Sequence, residues 1–104
     1  MIQTYHSKMF AHFVERLAST QDGDGTLLDH SMIMFGSNMS DSNRHNNDPL
    51  PIALFGHAHG RVKGGQHVAY PQDSRFSDLL LTVLERTQIP VESIGDSTGV
   101  LSEV

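Results

Sequence analysis

Between residues 2 and 18, Met9, Phe13 and Leu17 recur at three-and-four spacing, joined by Phe10 and Val14 and extended backwards by Ile2, Tyr5 and His6. That spacing predicts an amphipathic helix, with Lys8, Glu15 and Arg16 off the apolar stripe. Residues 19–25 hold two Asp-Gly pairs, turn formers that tolerate positive φ, and end the helix in a loop. Residues 31–36 and 50–56 each contain four successive apolar positions, Met32 to Phe35 and Ile52 to Phe55. Such short runs without alternation predict interior strands covered on both faces. Pro49 and Pro51 suit a strand entrance, not a central ladder position.

Residues 37–49 between these runs are polar throughout and have no period. A connection that long in a small domain is often functional. Residues 57–65 are rich in glycine and basic side chains, and residues 66–70 alternate enough for a short strand ending at Pro71, with 61–63 as its hairpin partner. A second helix runs from a cap at Ser74 or Ser77 to about Thr87, its apolar face made by Leu80, Leu81, Val83 and Leu84. Residues 95–104 read as an irregular tail. The 104 residues are predicted to form a single α/β unit sharing one core. Two strands apolar on both faces need more sheet and more covering layers than this chain supplies. The expectation is therefore a portion of a larger domain, completed by a missing amino-terminal part of the same domain or by a homo-oligomer.

Seven Lys plus Arg against twelve Asp plus Glu leave a net charge of −5, against a surface for nucleic acid. No run approaches the roughly 20 apolar residues of a membrane span, and no export signal is visible at the start. Seven histidines could carry the charge from −5 to about +2 at mildly acidic pH. With no cysteine there is neither a disulfide framework nor a thiolate ligand.

The densest polar stretch, residues 36–48, follows the first predicted strand. In open α/β sheets ligands gather beyond the carboxyl ends of strands. Asp41 and His45 are the candidate metal ligands there, a carboxylate and an imidazole suited to zinc or a similar divalent ion, with Asp48 as a third ligand or an orienting partner. The alternative is a loop of asparagine and serine whose side chains satisfy its own backbone. The second cluster follows the other strand. Arg61, Lys63, Gly64 and Gly65 could cradle a phosphate or sulfate through backbone amides and cationic side chains, or form a tight hairpin with a solvated tip. His57 and His59 would face one way on an extended backbone and could share a metal. His30, with Asp29 to orient it, reads more simply as part of a capped turn.

The stretch 23–31 (GDGTLLDHS), Gly36-Ser37, Ser40-Asp41 with His45, Leu50-Pro51 before a strand, Lys63-Gly64-Gly65 with His67, and Gly95-Asp96-Ser97-Thr98-Gly99 resemble, in that order, the carboxy-terminal part of the HXXSHH family. This is a bacterial domain of unknown function, abundant in planctomycetes and often exported. The resemblance covers essentially the whole chain and implies that the motif naming the family would lie upstream of Met1. More distantly, the pattern is similar to the alkaline phosphatase and sulfatase superfamily. That likeness implies a piece of a three-layer α/β/α sandwich and a metal-dependent phosphatase- or sulfatase-like hydrolase. His45 then falls at a late metal-ligand position and Asn38 or Asp41 at an acidic one. Asn38 departs from the pattern, so either Asp41 takes the role or the metal site is degenerate. The alternatives are a noncatalytic binding domain, or a piece without independent activity.

Overall fold

The computed structural model describes all 104 residues as a mixed α/β chain. Helix α1 spans Ile2–Ala18, as its spacing predicts. With no glycine or proline inside, it runs until Ser19, where the hydroxyls of Ser19 and Thr20 both donate to the Arg16 carbonyl and occupy it. The two Asp-Gly pairs do more than end the helix. They form a small antiparallel hairpin, β1 (Gln21–Asp22) with β2 (Gly25–Thr26), around Gly23 at φ +60°.

The two apolar runs become β3 (Ile33–Gly36) and β4 (Ile52–Phe55), and they lie side by side. The pairing is antiparallel, with Ile33 opposite Phe55 and Gly36 opposite Ile52. Ile33, Phe35, Ala53 and Phe55 therefore share one face. That face meets α1: Phe10 stacks on Phe35 and makes a T-shaped contact with Phe55. The strands are not interior. They make a two-stranded sheet, so each keeps an open edge, and Ala53 is exposed.

The glycine-rich hairpin does not form. Ala58, His59 and Gly60 all take positive φ (45°, 58° and 85°), which coils the chain into a single tight turn at Ala58–Gly60. Residues 61–63 are thereby turned away from a ladder, and the expected strand at 66–70 has no partner and is absent. Helix α2 spans Phe76–Arg86 after Arg75 in an extended conformation. Neither predicted serine caps it: the Ser77 hydroxyl donates to the Asp96 carboxylate instead. The Asp78 carboxylate reaches the tail, accepting from the Thr98 and Gly99 amides. Thr82 is fully buried, donating to the Asp78 carbonyl and accepting from the Leu101 amide. Arg86 donates to the Val104 carbonyl, so the irregular tail lies along α2.

Only Ala58, Val62, Leu81 and Thr82 are buried. The accessible surface is 7656 Å², where a folded monomer of this mass exposes about 5,800 Å². The radius of gyration is 15.0 Å, against about 13 Å for a compact domain of this length. Ile2, Tyr5, Met9 and Phe13 form a bare apolar stripe on α1 beside the one that meets the hairpin. No helix is long and apolar enough to cross a membrane.

Candidate functional site

The antiparallel pairing decides which loops share a rim. The polar loop leaves β3 at Gly36, whereas the His57 turn leaves β4 at Phe55, beside the start of β3. Three residue steps separate these ends, about 10 Å along the ladder. Asp41 and His45 therefore lie at one end and Arg61 to Gly65 at the other, so the two candidate clusters do not form one site.

At the first end, Asp41 is committed to its own loop. One carboxylate oxygen accepts the amides of Asn43 and Arg44, at 3.0 and 3.2 Å, and the other faces the Arg44 guanidinium at 3.6 Å. Asp41 and Asn46 pair as a backbone bridge, and Asn46 bonds to Asp48 through both ends of its amide. His45 sits exposed at φ 52°, with no hydrogen bond to Asp41. At the other end, Arg61 donates to the Ala58 carbonyl, and Lys63, Gly64 and Gly65 are exposed. A Cβ at Gly64 would lie 3.9 Å from the His57 ring.

A polar pocket lies at this second end. Asp24, Gly25, Asp29, His30, His57, His59 and Gly60 surround an open volume of about 380 Å³ with no apolar lining residue. Its frame is backbone. The amides of His57, Ala58 and His59 donate to the carbonyls of Leu28, Ser31 and Asp29 at 3.3, 3.0 and 3.0 Å. Gly56 makes this seam possible: at φ +91°, a Cβ there would stand 2.2 Å from the Ser31 carbonyl oxygen. Thr26 and Asp29 brace the other side, one Asp29 oxygen accepting the Thr26 amide and hydroxyl while the Asp29 amide donates back to that hydroxyl. The Thr26 amide and hydroxyl hold the Asp29 carboxyl below its ordinary range, and the His57 and His30 imidazoles add to this.

His30 is the centre of the pocket. Its Nδ1 lies 2.7 Å from Asp22 Oδ2 and its Nε2 3.2 Å from Asp24 Oδ1, so each ring nitrogen faces a carboxylate. The hydrogen bond to Asp22 raises the His30 pKa above its ordinary value, and the charges of Asp22 and Asp24 act in the same direction. The ring stacks on His59, centroids 4.2 Å apart and planes 9° from parallel. His57 directs Nδ1 at the Val62 carbonyl, 3.5 Å away. His57 and His59 do line one pocket, but through a coiled turn and not an extended backbone.

Asp22, not Asp29, orients His30. The available signal was the first Asp-Gly pair: a two-residue hairpin there returns the chain so that the carboxylates of Asp22 and Asp24 reach a ring eight and six residues beyond. No three His, Asp or Glu side chains converge as a complete metal donor set. No protein-family model matches the chain, and no curated protein or solved structure matches it.

Proposed function

We propose that the chain contributes one wall of a metal-dependent hydrolase site for phosphate or sulfate esters, within a three-layer α/β/α sandwich completed by further protein surface. The observation that carries this reading is the pocket of three imidazoles and two carboxylates held on a hydrogen-bonded backbone seam. Imidazole and carboxylate together suit zinc or a similar ion, which can activate water and stabilise charge on a transferring phosphoryl or sulfuryl group. Arg61, one residue past the pocket lining, supplies a cation for an anionic substrate group. The resemblance of the ordered motifs to those of HXXSHH proteins, and more distantly to the alkaline phosphatase and sulfatase superfamily, supports the reading. The bare stripe on α1 and the excess accessible surface support completion by other protein.

The test is hydrolysis of para-nitrophenyl phosphate and para-nitrophenyl sulfate by the protein with zinc or manganese, before and after chelation with EDTA. Turnover that chelation abolishes is expected. No turnover on either ester, or turnover indifferent to EDTA, overturns the hydrolase reading. A second reading, a noncatalytic binding module, is favoured by the loop at 41–46, whose polar groups largely satisfy one another.

A further inference from the structure

We propose that the bare stripe of α1 is the contact face of a homodimer, in which a second copy of this chain lays its own α1 across the first. The proposal goes beyond the hydrolase reading and does not depend on it.

The stripe is a ridge of a kind that packs against itself. Tyr5, Met9 and Phe13 stand four residues apart and are 63%, 52% and 49% exposed, with Ile2 at 70% beyond them. Residues at that spacing line up as one ridge along a helix, and two such ridges interlock when the helices cross at about 50°. The order aromatic, methionine, aromatic is symmetric about Met9. A two-fold axis at Met9 therefore sets Tyr5 of each copy beside Phe13 of the other and brings the two Met9 side chains together. An isologous interface requires such self-complementarity. Ring pairing and contact of sulfur with a ring are the interactions these side chains offer one another. Phe10, on the neighbouring side of α1, is already stacked on Phe35, so the dimer contact and the hairpin contact use different sides of the helix.

Area and charge favour a second copy as the occupant. At 7656 Å² the chain exposes roughly 1,900 Å² more than a compact monomer of its mass. Each side of a standard dimer interface buries about 800 Å², well within that excess. The four stripe residues offer roughly 100 Å² of apolar surface each, taking half or more of the 150 to 250 Å² of a large side chain. Together they fill about half of such a patch, near the apolar share of an ordinary interface. Of the twelve acidic residues only Glu15 lies on α1, alongside Lys8 and Arg16. Contact through α1 thus keeps the acidic loops of two chains, each of charge −5, away from one another. The helix also carries no dense charge of either sign that would call for an oppositely charged partner.

Sedimentation equilibrium of the full chain tests this at concentrations up to about 100 μM, above the micromolar Kd of the weaker interfaces of this size. A reversible dimer of twice 11.5 kDa is expected. Met9→Lys should weaken it about a hundredfold or more while leaving the helical circular dichroism unchanged. Because the chain has no cysteine, Met9→Cys reports the two-fold axis directly. Mild oxidation should convert it to a disulfide-linked dimer, whereas Lys8→Cys, off the ridge, should stay largely monomeric under denaturing conditions. A monomer throughout, which would leave the stripe to a different protein, overturns the proposal. So does an assembly larger than a dimer, association unaffected by Met9→Lys, or equal crosslinking at the two positions. The cysteine pair decides even if Met9→Lys fails to fold.

Discussion

Phe10 of α1 lies flat on Phe35 of β3, ring centroids 4.1 Å apart and planes 11° from parallel, and Phe55 of β4 makes a T-shaped contact with Phe10 at 5.0 Å. This three-ring contact ties the first helix to the central hairpin. All three rings keep some exposure, so truncation costs less than in a closed core. Phe10→Ala should destabilise the fold by about 2 kcal/mol, below the roughly 3 to 5 of a fully buried phenylalanine. Urea denaturation measures this, and an unshifted midpoint would show that α1 does not depend on the ring cluster.

Gly56 carries the seam that builds the pocket. Alanine there would need both a φ of +91° and a Cβ 2.2 Å from the Ser31 carbonyl oxygen. Backbone has to move, at a cost of about 2 kcal/mol or more. Gly56→Ala should lower the melting temperature and expose the amides of His57 to His59 to rapid hydrogen exchange. Gly60→Ala is the control, because a Cβ there meets nothing within 4 Å. Its cost is confined to the strain of φ +85°. Equal loss in the two variants would refute the steric argument.

His30 gives the fold a pH dependence of definite sign. Its pKa is raised, first by the hydrogen bond to Asp22. The stabilisation is complete below the ordinary value of 6.5 and is lost as pH rises through the higher folded value. Asp29 acts oppositely: its lowered pKa, due first to the Thr26 amide, contributes above 3.8 and is lost as pH falls through the folded value. Asp22→Asn should bring the His30 titration, followed by NMR of the imidazole protons, down toward its ordinary midpoint. A midpoint unchanged by this substitution would remove Asp22 as the cause.

Thr82 joins α2 to the tail. Its hydroxyl is fully buried and is bonded to both the Asp78 carbonyl and the Leu101 amide, each at 2.7 Å. Thr82→Val keeps the shape and deprives the Leu101 amide of its acceptor, which should cost about 1 to 3 kcal/mol. Thr82→Ser keeps the hydroxyl and should be milder. Hydrogen exchange at Leu101 separates the two outcomes, and identical protection in both variants would show that the hydroxyl contributes nothing there.

The helices and the two four-residue strands were legible because their signals are local. Met9, Phe13 and Leu17 repeat within one helix face, and Met32 to Phe35 is too short an apolar run for a helix. The glycine-rich hairpin was misread because alternation at residues 66–70 says nothing about whether a partner strand exists. Positive φ at Ala58 and His59, residues that rarely adopt it, removed that partner. Asp41 and His45 were legible as candidates from residue type. Residue type did not reveal that the Asp41 carboxylate accepts two amides of its own loop.

Spacing and composition alone therefore settled the order of the principal elements and the presence of imidazoles and carboxylates in otherwise polar loops. These follow from short-range periodicity and side-chain chemistry, which act within a few residues. Folding in three dimensions chose the antiparallel sense that sends Asp41 and Arg61 to opposite ends, and bonded residues 28–31 to residues 57–59 across an intervening loop and hairpin. It also set His30 between Asp22 and Asp24. Contacts between segments so distant along the chain depend on strand direction and backbone handedness, neither of which a linear pattern of polar and apolar positions records.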